Sequence, residues 1–229
     1  MKRLFTLLFP GLLGAAIAYP IPATHRAKRL LNTADTVAEI AKASINGVHY
    51  TAMYTTGYNV YIKGPGGKIL FRQNAAGFVG FEFADFNGDG YKDLQISYIS
   101  NTPGIADLLL YDKRSKNLRL VKAFDNYPDA IRIKHTNMYY SYHHSGCADA
   151  DWDSDLFKIE NFKTVRIGNI NCQDCSNNPK ENRISVYTVN NKDRKLLKTF
   201  KSDIVNDYTD TKWGFIAWYW KRNHKHFTK

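Results

Sequence analysis

The stretch GFEFADFNGDGYKDLQIS, residues 80–97, decides how the rest of the chain is read. Phe81 and Phe83 alternate with Glu82, and Leu94, Ile96 and Tyr98 alternate with Gln95 and Ser97. That period of two marks half-buried strands on either side of a tight loop. Inside the loop, Asp85, Asn87, Asp89 and Asp93 place side-chain oxygens at positions 1, 3, 5 and 9, with Gly90 at position 6. A hard cation such as Ca²⁺ takes about six to eight oxygens at ~2.3–2.6 Å, so the chain must coil tightly around it. Alternate side chains then point inward, the glycine permits the sharp turn, and the backbone carbonyl of Tyr91 at position 7 supplies another ligand. Three carboxylates in so small a loop repel one another unless a divalent cation neutralises them. Position 12 is Ile96 and the flanks are strands, which excludes an EF-hand. The competing reading is a plain Asn-, Asp- and Gly-rich hairpin turn.

The alternation extends in both directions. Residues 59–63 and 68–72 flank a Gly-Pro-Gly-Gly turn at 64–67 and read as a β-hairpin. Further strands are expected at 78–84, 94–99, 106–111, 118–124, 138–143, 156–160, 164–170, 183–189, 196–200 and 213–220, punctuated by turns at 113–117, 176–179 and 190–193. So many short strands with frequent turns predict a mainly β fold of antiparallel sheets, arranged as a small propeller-like domain, a barrel or a sandwich. One helix is expected, at 33–46, where Asn32 or Thr33 caps a stripe of Val37, Ile40, Ala41 and Ile45 and Gly47 follows the end. Residues 33–229 therefore read as a single β-rich domain with an N-terminal helix.

Residues 80–97 resemble the calcium loop of FG-GAP/VCBS repeats, found in the blades of integrin-type β-propellers, where a strand leads into D-x-[ND]-x-D-G-x-x-D-L and a second strand. The resemblance implies Ca²⁺ held by Asp85, Asn87, Asp89, Asp93 and the Tyr91 carbonyl. It covers about twenty residues and occurs once, whereas integrin-type propellers carry several such loops. The order of the 64–68 hairpin, Tyr111 and Asp112 before Leu118, and Gly146 before Cys147 is also similar to small exported bacterial proteins with a single such loop. Some of these adopt a propeller-like fold resembling periplasmic lysozyme inhibitors. That likeness implies a non-enzymatic binding or inhibitory role at the cell envelope.

The N-terminus bears on compartment. Lys2 and Arg3 precede a broken apolar run to Ala18, and Ala16 and Ala18 are small residues at the −3 and −1 positions of a cleavage site. This reads as a signal peptide over 1–18, a retained anchor being the alternative, and it places the mature protein in the periplasm or outside the cell. No later segment is apolar enough to span a membrane. Residues 19–32, with two prolines and four basic residues, read as a flexible basic arm. The formal charge is +11 from 32 Lys and Arg against 21 Asp and Glu, and the leader removes two of those positive charges. At 44% hydrophobic residues the chain is globular rather than disordered. Composition also excludes collagen, coiled coil and a disulfide-dense miniprotein.

Cys147, Cys172 and Cys175 suggest one structural disulfide, either 172–175 or one of that pair with Cys147. Asp149, Asp151, Asp153 and Asp155 form either a second cation site or an acidic loop or strand edge. His143 and His144 point to opposite strand faces, so at most one would serve in chemistry. The aromatic and basic run 213–229 reads as a core strand with a solvated end. No nucleophile elbow, phosphate loop, HExxH or glycosidase signature occurs, so no enzymatic activity is expected. The alternatives are an envelope hydrolase with a structural calcium and an adhesion or polyanion-binding protein. The expected partner is a protein or glycan; nucleic acid is not expected.

Overall fold

Inward and outward side chains alternate from Ala41 to Ile45, after an exposed start at 35–40. The computed structural model describes residues 35–178 and 180–228; the leader at 1–18 and the arm at 19–32 lie outside them. The segment expected as an N-terminal helix instead carries strand β1 (Val37–Ile45), paired antiparallel with β2 (Val48–Thr55). Asn46 and Gly47 between them have φ of 50 and 77, the left-handed backbone that a two-residue hairpin turn requires and that an Asn-Gly pair adopts readily. The i, i+3, i+4 spacing misled because Ala43 and Ile45 turn inward while Val37 and Ile40 remain exposed.

Strands β3 (Asn59–Lys63) and β4 (Ile69–Asn74) complete a first sheet in the order β1-β2-β3-β4. A second comprises β5 (Phe78–Ala84), β6 (Asp93–Tyr98), β7 (Ala106–Asp112) and β8 (Asn117–Leu120), again in chain order. The third contains β9 (Ile131–Arg132), β10 (Met138–Tyr140), β11 (His143–Gly146), β12 (Asp151–Glu160), β13 (Lys163–Gln173), β14 (Arg183–Asn190) and β15 (Asp193–Lys201). Its path is β15-β14-β13-β12-β10-β9, with β11 also paired to β12. The fold is mainly β and antiparallel, as expected. Among the described residues no sheet closes on itself, so the barrel alternative is discarded; each four-stranded sheet is a meander, the connectivity of a propeller blade.

Burial explains the layering. Strand β7 is apolar on both faces: Leu109 and Tyr111 join Tyr50, Val60 and Ile62 of the first sheet, while Leu108 and Leu110 join Tyr139 and Phe157 of the third. A strand covered on both sides reads as a near-continuous apolar run, which is the Leu108–Tyr111 sequence. The other face of the third sheet packs Trp152, Leu156, Ile170, Ile184 and Val186 against helix α1 (Thr211–Asn223). That helix corrects the strand expected at 213–220. Its buried residues Phe215, Ile216, Tyr219 and Trp220 recur with helical spacing, and the Trp220 indole N–H donates to the buried Ser154 hydroxyl at 2.8 Å.

The disulfide joins Cys147 to Cys175, with Cα atoms 6.0 Å apart across 28 residues of sequence. It ties the turn after β11 to the segment after β13. Cys172 is a buried free thiol whose pKa burial pushes up to about 12.

Candidate metal centre

The loop between β5 and β6 is built from its own carboxylates. Asp85 lies one residue beyond β5, and its Oδ1 and Oδ2 accept the backbone N–H groups of Asp89 at 3.0 Å and Gly90 at 2.9 Å. Asn87 Oδ1 accepts the Asp89 N–H at 3.0 Å, and Asp89 Oδ1 accepts the Tyr91 N–H at 3.0 Å. Gly90 stands at φ 88, as the sharp turn at position 6 demands. The side chains of positions 1, 3 and 5 thus all fold back over the loop interior.

Asp93, the first residue of β6, closes the ring. Its Oδ2 accepts the N–H groups of Phe86 at 3.0 Å and Asn87 at 3.3 Å, and its Oδ1 accepts the Tyr111 N–H from β7 at 2.8 Å. Asp93 is 1% exposed. Burial pushes its pKa up to about 7, against the three N–H donors, which favour the charged form.

Residues that the motif alone does not name also hold the loop. Phe86 stacks on Tyr139 with centroids 5.2 Å apart and meets Phe124 edge-on at 5.4 Å, which pins the loop to the third sheet. Lys113 lies 3.4 Å from Asp89 Oδ2 and 4.7 Å from the centre of the Tyr91 ring. The Arg132 guanidinium rests against Gly88, its Nη1 only 1.6 Å from where a Cβ would stand. Only the aromatic at position 2 of the motif hints at Phe86; Lys113, in the turn between β7 and β8, and Arg132, on β9, leave no local signal.

The donor set suits a hard cation: four side chains with oxygen ligands and no competing nitrogen or sulfur ligand. The carboxylate oxygens also keep lone pairs beyond those used by the N–H groups. Spacing sets the limit. Among the described residues, one trio of Asp, Glu, His and Cys brings its ligating atoms within 4.8 Å of one another, and it is Cys147, Asp151 and Cys175. Both of those sulfurs are in the disulfide and cannot serve as thiolates. The Asp85, Asp89 and Asp93 carboxylates do not together meet that spacing, so a bound Ca²⁺ would have to draw them in.

The acidic run does not coil. Asp151, Asp153 and Asp155 lie along β12 and are engaged by protein donors. Asp151 accepts the Asp174 N–H at 2.7 Å; Asp153 accepts from Asn169 and Asn171; Asp155, buried, accepts from Asn169 at 2.8 Å and lies 3.4 Å from Arg166. Asp149 is bound by the Tyr142 hydroxyl and Lys212. His143 is half-buried with Nδ1 lacking a partner, and His144 is exposed.

No protein-family model matches the chain, and no curated protein matches it. A solved structure described as a Xanthomonas type IV secretion system related protein is similar, at 16% identity and a TM-score of 0.49, over 72% of this chain and 98% of that one. Among the described residues no helix is long and apolar enough to cross a membrane.

Proposed function

We propose that this is an exported, calcium-clamped β protein, periplasmic or secreted, that acts as a non-enzymatic binding or inhibitory module at the cell envelope. The observation that carries the reading is the loop 85–93, where every side chain expected as a ligand folds back over the loop interior. Occupied by Ca²⁺, the loop would lock the β5–β6 hairpin to β7 and, through Phe86, to the third sheet. A rigid hairpin presents its neighbouring surfaces to a protein or glycan in one arrangement, which lowers the ordering cost of binding. Export is supported by the disulfide, since such bonds persist in oxidising compartments.

Calorimetric titration of the purified, chelator-treated protein with Ca²⁺ tests the clamp. Extracellular-type sites bind at roughly 10⁻⁴–10⁻³ M. Heat of binding in that range, with a melting temperature that EGTA lowers, is the expected result. No heat and no EGTA effect would overturn it. The binding role is tested by capture from envelope and host-secretion extracts with calcium and with chelator. Inhibition of lysozyme, the version the resemblance implies, is discarded if saturating protein leaves several lysozyme classes fully active.

A further inference from the structure

A cavity of about 580 Å³ opens between β6, β10 and the first turns of α1. This volume suits a small organic ligand, for which pockets of about 300–1,000 Å³ are usual. Its wall is apolar and aromatic, including Phe124, Tyr142, Trp213 and Ile216, and two carboxylates, Asp129 and Asp210, stand in its lining. None of the 14 lining residues is Lys, Arg or His, although the chain carries 32 Lys and Arg against 21 acids. The pocket is thus an anionic, aromatic spot on a cationic protein.

Both acids are held without being used. Asp129 and Asp210 have φ of 49 and 67, a left-handed backbone that aspartate and asparagine adopt more readily than most residues. Among the described residues neither carboxylate receives a hydrogen bond or an ion pair. Asp210 occupies the position before α1 where an aspartate ordinarily caps the helix, yet its side chain makes no capping bond. The Asp129 carboxylate is pressed against Gly104, where a Cβ would lie 2.1 Å from its Oδ1, and the Asp129 N–H donates to the Gly104 carbonyl at 3.1 Å. Both acids are exposed to solvent, and partial burial raises the pKa of Asp129.

The rings in the same lining are fixed. Trp213 meets Tyr142 edge-on with centroids 3.7 Å apart, and the Tyr142 hydroxyl donates to Asp149. The Lys212 ammonium, neutralised by that same Asp149, lies 5.3 Å from the Tyr142 ring and 5.2 Å from the Trp213 ring. These rings therefore already attract a cation of this chain.

We propose that this cavity binds an organic ammonium group carried on an apolar body, with the cation at Asp129 and Asp210 and the apolar part against Trp213 and Tyr142. Sugars also stack on exposed tryptophans, but a carboxylate without a protein donor gains more from an ammonium than from a neutral hydroxyl, since the ammonium adds an opposite charge to the hydrogen bond. The ammonium belongs either to a free amine or to a lysine side chain of a protein partner.

Titration calorimetry of the full chain with phenethylamine, its neutral counterpart 2-phenylethanol, chitotriose, and a lysine peptide with and without side-chain acetylation tests this. The amine or the unmodified lysine peptide should bind at least tenfold more tightly than its neutral counterpart, and whichever binds more tightly identifies the source. Asp129→Asn and Asp210→Asn should each weaken the cation at least tenfold and leave 2-phenylethanol unchanged; asparagine tolerates left-handed backbone, so both variants should fold. Trp213→Ala should weaken both ligands. Equal affinity for amine and alcohol, or binding of chitotriose without the amine, would overturn the proposal. Running each titration in EGTA and in excess Ca²⁺ keeps this outcome separate from that of the calcium loop, which shares no residue with the cavity.

Discussion

Asp93 Oδ1 accepts the backbone N–H of Tyr111 at 2.8 Å, which makes one side chain both the ninth position of a loop and a link between neighbouring strands. Its other oxygen holds the N–H groups of Phe86 and Asn87. The strand-to-strand link exists with or without a cation, and this separates Asp93 from the other loop acids.

Replacing Asp93 by Ala should therefore destabilise the protein by about 2–4 kcal/mol in EGTA as well as in calcium, because three N–H donors lose their acceptor in a buried place. Asp85→Ala, at an exposed position, should change stability in EGTA by less than about 1 kcal/mol and abolish the calcium-dependent part. Paired urea melts of both variants, each with and without calcium, check this. A loss that is entirely calcium-dependent for Asp93→Ala would contradict its structural role.

Calcium itself should stabilise the wild-type chain by a modest amount. At tenfold excess over the dissociation constant the gain is about 1.4 kcal/mol. Thermal melts across a calcium series should show a midpoint that keeps rising with the logarithm of concentration. A Lys113→Met variant, which removes the ammonium beside Asp89, should bind calcium more tightly.

The Cys147–Cys175 bond closes 28 residues, worth roughly 3.5 kcal/mol on the chain-entropy model. Cys175→Ser should lower stability by up to that amount. Cys172, buried and with its thiol pKa raised to about 12, should resist alkylation in the native protein and react only on unfolding. Mass spectrometry after iodoacetamide treatment at pH 8 reads both states; rapid native labelling of Cys172 would refute the assignment.

The packing of α1 can be probed from beneath. A Cβ on Gly168 would lie 2.8 Å from the Phe227 ring and 3.1 Å from Trp220. Gly168→Ala should cost about 1–3 kcal/mol through overpacking. Trp220→Phe leaves the buried Ser154 hydroxyl without its donor and should cost about 2–4 kcal/mol. Denaturant midpoints and near-ultraviolet circular dichroism report both.

Asp35 provides a pH test at the start of the first sheet. The Thr55 hydroxyl at 2.8 Å and the Gly57 N–H at 2.6 Å hold its pKa below the usual carboxylate value. A depressed folded pKa contributes stability that is complete above the unfolded value near 3.8 and is lost as pH falls through the lower folded value. Asp35→Asn should flatten the acid limb of a stability–pH curve below pH 4 and leave its neutral region nearly unchanged.

Local chemistry made much of the architecture legible. The 59–63 and 78–84 strands fall where period-two alternation places them, because a half-exposed sheet face demands it. The loop residues 85–93 were likewise readable from oxygen spacing and a glycine. Misreadings occurred where two periodicities compete. Residues 37–45 fit a helical stripe, but the Asn46–Gly47 turn and pairing with β2 make them a strand. Residues 213–220 are rich in strand-favouring aromatics, yet the third sheet offers a face that only a helix covers. Asp155, expected in an acidic loop or at a strand edge, is buried because Asn169 and Arg166 reach it from the next strand.

The sequence by itself determined the β character and the oxygen-rich loop, because alternation, turn chemistry and ligand spacing act over a few residues. Only the tertiary structure decided that β7 is covered on both faces, that Cys147 pairs with Cys175, and that Asp129 and Asp210 share a cavity with Trp213. Those outcomes depend on contacts between segments up to about eighty residues apart, and contacts of that range leave no periodic trace in the chain.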